Sequence, residues 1–295
     1  MTRHVLRVDD LSETELAQVL DRAAELKAAP RAEVAGTLPD YSLTMVFEKP
    51  STRTRVSFET GMTDLGGHAV FLGPDDIGLG NREPLRDTAR VLSGYGDAVM
   101  ARLFDHDDMR ELAAHATVPV INGLTNDAHP CQTLADLLTI REAFDGLEGV
   151  KAAWVGDGNN VAQSFVVGCA LAGVELTVAT PAQYGIDDEV LERAAELGGD
   201  IETTTDPAEA LRDADVAYTD VWVSMGESGK DLDAFEGFQL NSELLNPETK
   251  VMHCLPANRG EEVTNDVLES ERSLAWKQAE NRLHAQKGLL AYLLA

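Results

Sequence analysis

The sequence predicts an α/β protein made of two doubly wound parallel-sheet domains. Short apolar runs of strand length alternate with amphipathic stretches of about 10 to 15 residues along most of the chain. The alternation starts afresh after DGLEGV, at residues 145–150. A length of 295 residues also suits two domains at about 100 to 200 residues each.

Ser12 and Glu15 form a capping-box pattern that opens a helix through LAQVLDRAAEL. LTMVFE then reads as a strand, STRTR as a loop, and VSFETGMTDLG as a helix. AVFLG, DAVMARLF and VPVING follow as strands, with helices near 84–95 and 107–115 between them. Pro84 suits the first turn of the former. HPCQTLADLLTIREAF is a long amphipathic helix, and it leads to the expected domain join: 1–145, then 146–295. In the second half KAAWVG, VELTVAT, DIETTT, DVAYTDVW and KVMHCL read as strands, and a helical segment from about 271 closes the chain.

No run of 18 apolar residues is present, and MTRHVLRVDD lacks the apolar stretch of a signal peptide, so a cytoplasmic protein is expected. Cys131, Cys169 and Cys254 form no CxxC pair, which argues against a disulfide framework and a zinc site. Fifty-one acidic residues face 24 basic ones, a formal net charge of -27. Such a surface disfavours nucleic acid as a partner. The acids are spread over helix faces such as DDEVLERAAE, and only 7 of the basic residues are lysines. At molar salt the Debye length falls to about 3 Å, which removes most of the self-repulsion. The composition therefore points to a high-salt cytosol.

Five motifs sit where apolar runs end, the place where open parallel sheets collect ligands. FEKPSTRTR sets hydroxyls and arginines at a helix start, which fits an anion site and also a polar capping loop. No Walker pattern accompanies it. In HPCQ, His129 and Gln132 share a helix face at i, i+3, although His129 also fits a simple cap. Arg102 ends a strand, where a buried cation calls for an anionic partner. GDGNN (156–160) resembles a dinucleotide turn whose third glycine is Val161, and its asparagines equally suit a small zwitterion or a plain turn. DVWVSMGE offers Asp220 to an ammonium and Ser224 to a carboxylate. HCLPA suggests a Cys/His pair, yet neighbours on an extended strand face opposite ways. Cys254 reads better as a binding or proton-handling group.

Taken together and in order, FEKPSTRTR, HPCQ, DVWVSMG and HCLP resemble the carbamoyltransferase family over essentially the whole chain. HPCQ and HCLPA, with the SMG loop, resemble its ornithine branch rather than its aspartate branch. The resemblance implies an active site in the interdomain cleft, with the C-terminal helix, about 271–295, packing back on the first domain. It implies a carbamoyl-phosphate site of Ser51, Thr52, Arg53, Thr54, Arg55, Arg102, His129, Gln132, Cys254, Leu255 and Arg282. Asn160, rather than Asn159, joins Asp220, Ser224 and Met225 as the implied ornithine contacts. Arg102, His129, Cys254 and Asp220 are the implied catalytic groups, with Arg53, Arg102, Arg282 and His129 as the positive charges that answer the growing negative charge. At the position of a glutamine that the family often uses, this chain has Gly78, so the 73–84 loop is left out of the site.

The implied reaction carries the carbamoyl group of carbamoyl phosphate to the side-chain amine of L-ornithine, giving citrulline and phosphate. Arginine breakdown would run it in reverse on the same residues. Neither a metal nor an organic cofactor is required, and a homotrimer or an assembly of trimers is implied. A carbamoyltransferase for putrescine or an acylated ornithine, a dinucleotide-dependent dehydrogenase using GDGNN, and a non-catalytic binding protein are the alternatives. The charge reading is checked by melting temperature and activity from low to multimolar KCl: both should rise with salt, and better stability at low salt would overturn it.

Overall fold

The computed structural model describes residues 2–78, 83–224 and 227–295. The chain forms two compact units, one of Met1–Leu138 with Asn281–Ala295 and one of Thr139–Glu280. Met225, an expected ornithine contact, lies outside the described residues.

In the first unit, strands β1 (Ser42–Phe47), β2 (His68–Leu72), β3 (Ala98–Arg102) and β4 (Val120–Leu124) pair in parallel in the order β2-β1-β3-β4. Helices α1 (Glu13–Ala28) and α2 (Arg31–Val34) precede β1, helices α3 (Thr52–Leu65), α4 (Pro74–Ile77), α5 (Leu85–Ser93) and α6 (His106–His115) connect the strands, and α7 (Pro130–Phe144) begins here. The central strands β1 and β3 are almost wholly buried, as continuous apolar runs covered on both faces should be. The edge strand β2 is partly exposed.

The STRTR stretch differs from its expected loop: Thr52 to Arg55 form the first turn of α3. Ser51 is the reason. Its Oγ accepts the Thr54 N–H at 3.3 Å, satisfying a donor that the helix start leaves open. At the other end Gly66 takes a φ of 95°, with the site of a Cβ only 2.0 Å from the Ala35 carbonyl oxygen.

In the second unit β5 (Lys151–Val155), β6 (Glu175–Ala179), β7 (Ile201–Thr204), β8 (Val216–Thr219) and β9 (Lys250–His253) pair in parallel, ordered β7-β6-β5-β8-β9. Helices α8 (Asn160–Ala172), α9 (Asp188–Glu196), α10 (Pro207–Leu211) and α11 (Asn265–Leu268) belong to it, and α12 (Ala275–Leu294) starts in it. Tyr218 meets Trp154 and Phe165 edge to face, 4.8 Å and 5.1 Å away between ring centroids. All nine strands expected from the alternation are present. The closing helix begins at Ala275 rather than near 271, because residues 272–274 bond β9 instead. The Val251 N–H donates to the Arg272 carbonyl at 3.0 Å, and the Leu274 N–H to the Val251 carbonyl at 2.7 Å.

Each sheet reverses its winding once, between β1 and β3 and between β5 and β8. The carboxyl ends of those strands are the places where such sheets bind ligands. Among the described residues no helix is long and apolar enough to cross a membrane.

In the first unit α12 packs on α1 through Gly288, whose missing Cβ would lie 2.6 Å from the Val19 carbonyl oxygen and 2.8 Å from Ala23 Cβ. Gly288→Ala should cost about 1–3 kcal/mol by overpacking. Gly146→Ala, with nothing within 4 Å of the added carbon, should not destabilise. Thermal melts of the two variants check the contrast.

Candidate active site

At the switch point of the first sheet, the end of β3 places Arg102 beside the start of α3. Arg102 is buried, and among the described residues its Nε has no hydrogen-bond partner. Burial, then the nearby guanidiniums of Arg282 and Arg53, push its pKa down to about 10, still well above neutral pH. Lys49, ahead of the STRTR motif, is buried too. Burial and the charge of Arg102 bring its pKa down to about 8, against the opposing pull of Glu48. Its ammonium donates to Asn126 Oδ1 at 2.9 Å and lies 4.6 Å from the Phe104 ring centroid.

Arg282 reaches this group from α12. One terminal nitrogen donates to Gln132 Oε1 at 2.6 Å and the other to Thr54 Oγ1 at 3.1 Å. Gln132 in turn donates from Nε2 to Asp136 Oδ1 at 2.7 Å, which fixes which way its amide points. Thr54, Gln132 and Arg282 are all buried. His129, at the start of α7, departs from the expected role as a positive charge. Burial and the charges of Arg282, Arg102 and Lys49 hold its pKa well below the ordinary histidine value. A neutral imidazole stands there at pH 7.

The first unit thus brings Lys49, Arg53, Arg102, His129, Gln132, Thr54 and Arg282 together. Ser51 is occupied as the helix cap, and Thr52 is exposed on the first turn of α3. Arg55 turns elsewhere: it donates to Glu59 at 3.1 Å and lies 3.6 Å from the Phe71 ring centroid. Cys131 is buried with its thiol pKa pushed up to about 12, first by burial, and its Sγ–H meets the Asn122 carbonyl at 3.4 Å. Gly78 ends α4 as a left-handed cap. Lys49 was missed in the sequence because a lone lysine beside STRTR gives no sign of its burial.

The second unit presents a different polarity. After β5 the GDGNN turn presses against 184–185, since a Cβ on Gly158 would lie 2.3 Å from the Gly185 carbonyl oxygen. Asn159 caps α8, its Oδ1 accepting the N–H groups of Val161 and Ala162 at 3.0 and 3.1 Å. Those are donors that a dinucleotide pyrophosphate would need, so the turn is poorly suited to that ligand. The Nδ2 of Asn159 donates to Asp220 Oδ2 at 2.9 Å, while Asn160, half-buried, takes the first position of α8. Sequence reasoning favoured Asn160 and missed this anchoring by Asn159.

Asp220, buried beyond β8, accepts the Cys254 thiol on Oδ1 at 2.9 Å. His253 is engaged away from that thiol: its Nδ1 accepts the Leu255 N–H at 2.8 Å and its Nε2 donates to Glu262 at 3.0 Å. A Cys/His nucleophile pair therefore has no free base. Asp220, His253 and Cys254 place oxygen, nitrogen and sulfur within 4.8 Å of one another, but both histidine nitrogens are already engaged, Nδ1 by the Leu255 N–H and Nε2 by Glu262. Leu255 holds a φ of 59°, a strained conformation for a leucine, and packs its side chain on the core. Ser224 is half-buried, with its N–H donated to Glu227 Oε2 at 2.9 Å.

Comparison with known proteins matches the two halves of the chain separately. Residues 3–142 match the family described as aspartate/ornithine carbamoyltransferase, carbamoyl-P binding domain. Residues 148–293 match its Asp/Orn binding domain. Ornithine carbamoyltransferase of Haloquadratum walsbyi is 61% identical, over 98% of this chain and 97% of that protein. The solved structure of ornithine carbamoyltransferase from Pyrococcus furiosus has a TM-score of 0.94 at 48% identity, covering 99% of this chain and 97% of that one. That of the anabolic enzyme from Campylobacter jejuni has a TM-score of 0.92 at 39% identity, covering 99% of each chain. With both halves matched along nearly their full lengths, the chain belongs to the aspartate/ornithine carbamoyltransferase family.

Proposed function

We propose that this chain is an ornithine carbamoyltransferase, holding carbamoyl phosphate on its first unit and L-ornithine on its second. The observation that carries the first assignment is Arg102: a buried guanidinium crowded by other cations, with an Nε that bonds no described protein atom. An anion relieves that repulsion and takes the donors at once. Arg53, Arg102, Arg282 and Lys49 hold the phosphate and answer the negative charge that grows on the leaving group. Thr54 and Gln132 fix Arg282, and the N–H groups at the start of α3 add donors for the phosphate. His129, neutral, donates a hydrogen bond to the carbamoyl carbonyl, and Gln132 meets the carbamoyl amide.

In the reaction the ornithine side-chain nitrogen attacks the carbonyl carbon. A C–N bond forms, the C–O bond to phosphate breaks, and phosphate leaves. The nucleophile has to be a neutral amine. With a lysine-like pKa near 10.4, removing its proton at pH 7 costs about 4 to 5 kcal/mol. Asp220 attracts the ammonium, and with Cys254 it orients the amine and receives its proton. Asn160 and Ser224 take the amino-acid end, and Met225 is assigned there on family resemblance alone. Leu255, its N–H and side chain committed, offers its backbone carbonyl to the carbamoyl group. We place the enzyme in a high-salt cytosol as a trimer or an assembly of trimers, for which the partly exposed edge strand β2 offers a surface.

Citrulline formation with ornithine, against putrescine and acylated ornithines, tests the substrate; turnover should be confined to ornithine. Arg102→Ala should lower kcat/KM for carbamoyl phosphate about 10²- to 10³-fold. Its melting temperature should hold or rise, since a buried charge crowded by other cations is removed. Near-normal turnover would take Arg102 out of the mechanism.

Lys49 gives a pH signature. Carbamoyl-phosphate affinity should fall as pH rises through about 8, where this ammonium loses its charge, and Lys49→Met should flatten the fall. Stability runs the other way. Between about 8 and 10.5 the unfolded chain keeps a proton that the folded one has released, so stability gains with pH relative to Lys49→Met. Calorimetric titrations and melts over that range check both signs.

A further inference from the structure

Resting on the ornithine reading above, one group near the second sheet's switch point remains without a role. Lys230 is 12% exposed in its side chain and Asp157 5%. The Lys230 ammonium donates to Asp157 Oδ2 at 2.7 Å and to Glu227 Oε2 at 3.1 Å. That same Glu227 oxygen accepts the Ser224 N–H at 2.9 Å. A continuous chain of bonds therefore runs from Ser224 through Glu227 and Lys230 to Asp157.

Asp157 is itself held in place. Its carbonyl accepts Trp154 Nε1–H at 2.9 Å, and two residues on Asn159 holds Asp220. Tyr184 braces the other side: its hydroxyl accepts the Asp231 N–H at 2.9 Å, its carbonyl accepts the Gly158 N–H at 2.9 Å, and its ring centroid lies 5.2 Å from the Lys230 ammonium.

We propose that Lys230 is a positioning residue for ornithine, tying the Ser224 segment to the GDGNN turn so that Ser224 and Asp220 keep a fixed spacing. Ornithine presents an ammonium at one end and a carboxylate with an amine at the other, so its affinity depends on that spacing. Lys230 also separates the roles of three carboxylates. Burial pushes Asp157 up to about 6, and Glu227 and Asp220 push it the same way against the pull of Lys230. The lysine thus occupies Asp157 and Glu227, leaving Asp220 as the carboxylate that receives the substrate ammonium.

Steady-state kinetics of Lys230→Met, Lys230→Arg and the double variant Asp157→Asn/Lys230→Met, in KCl, test this. Lys230→Met should raise KM for ornithine about tenfold, the loss of one charge-assisted link, with KM for carbamoyl phosphate held within about twofold. Lys230→Arg should recover most of the loss. The double variant leaves no buried charge unpaired, so its melting temperature should return toward the parent while KM for ornithine stays high. A double variant with parental KM for ornithine, or single variants in which both KM values rise together, would overturn the proposal. Failure of the unaltered chain to form citrulline would instead remove the ornithine reading, and this role with it.

Discussion

Like charges do not gather without a reason, least of all in a chain with 51 acidic and 24 basic residues. Yet the first unit concentrates Arg53, Arg102, Arg282 and Lys49 where two central strands end, most of them out of water. Much of the local architecture serves to hold that arrangement against its own repulsion. Thr54 and Gln132 grip Arg282, Asp136 orients Gln132, and Asn126 secures Lys49. Burial first, and then the same field, keeps His129 neutral. An imidazole in that state donates a hydrogen bond without adding another charge to a crowded place.

The second unit inverts the polarity. Asp157, Asp220 and Glu227 act on one another there, and Lys230 is the cation among them. Each unit thus carries the charge opposite to the substrate assigned to it, an anion for the first and an ammonium for the second. Long-range steering is weak at high ionic strength. In the high-salt cytosol proposed for this chain, selection between the two substrates rests on these short, partly buried contacts, which salt screens far less.

Legibility in the sequence followed the physics of each feature. The nine strands were readable because parallel strands covered on both faces need continuous apolar runs, and SLTMVF and KAAWV supply them. Arg102 was readable as a charge closing such a run. The start of α3 was not, since whether STRTR forms a loop or a first turn depends on one bond from Thr54 to Ser51. The onset of α12 depended on residues 272–274 bonding β9, a tertiary choice that helical periodicity does not record. The hold of Asn159 on Asp220 joins residues 61 positions apart, which no local pattern records. The charge state of His129 needed its own burial, and then the nearness of three cations that lie apart in the chain.

Arg282 carries one more consequence, a temporal one. The first unit is discontinuous, closing only when residues 281–295 join residues 1–138. On a ribosome adding about 5 to 20 residues per second, synthesis of the intervening 139–280 segment takes roughly 7 to 28 s. Throughout that interval Thr54 and Gln132 have been made, but the guanidinium that links them has not. The nascent first half therefore lacks one of its four cations until α12 is made, and the grip on an anion proposed above waits with it.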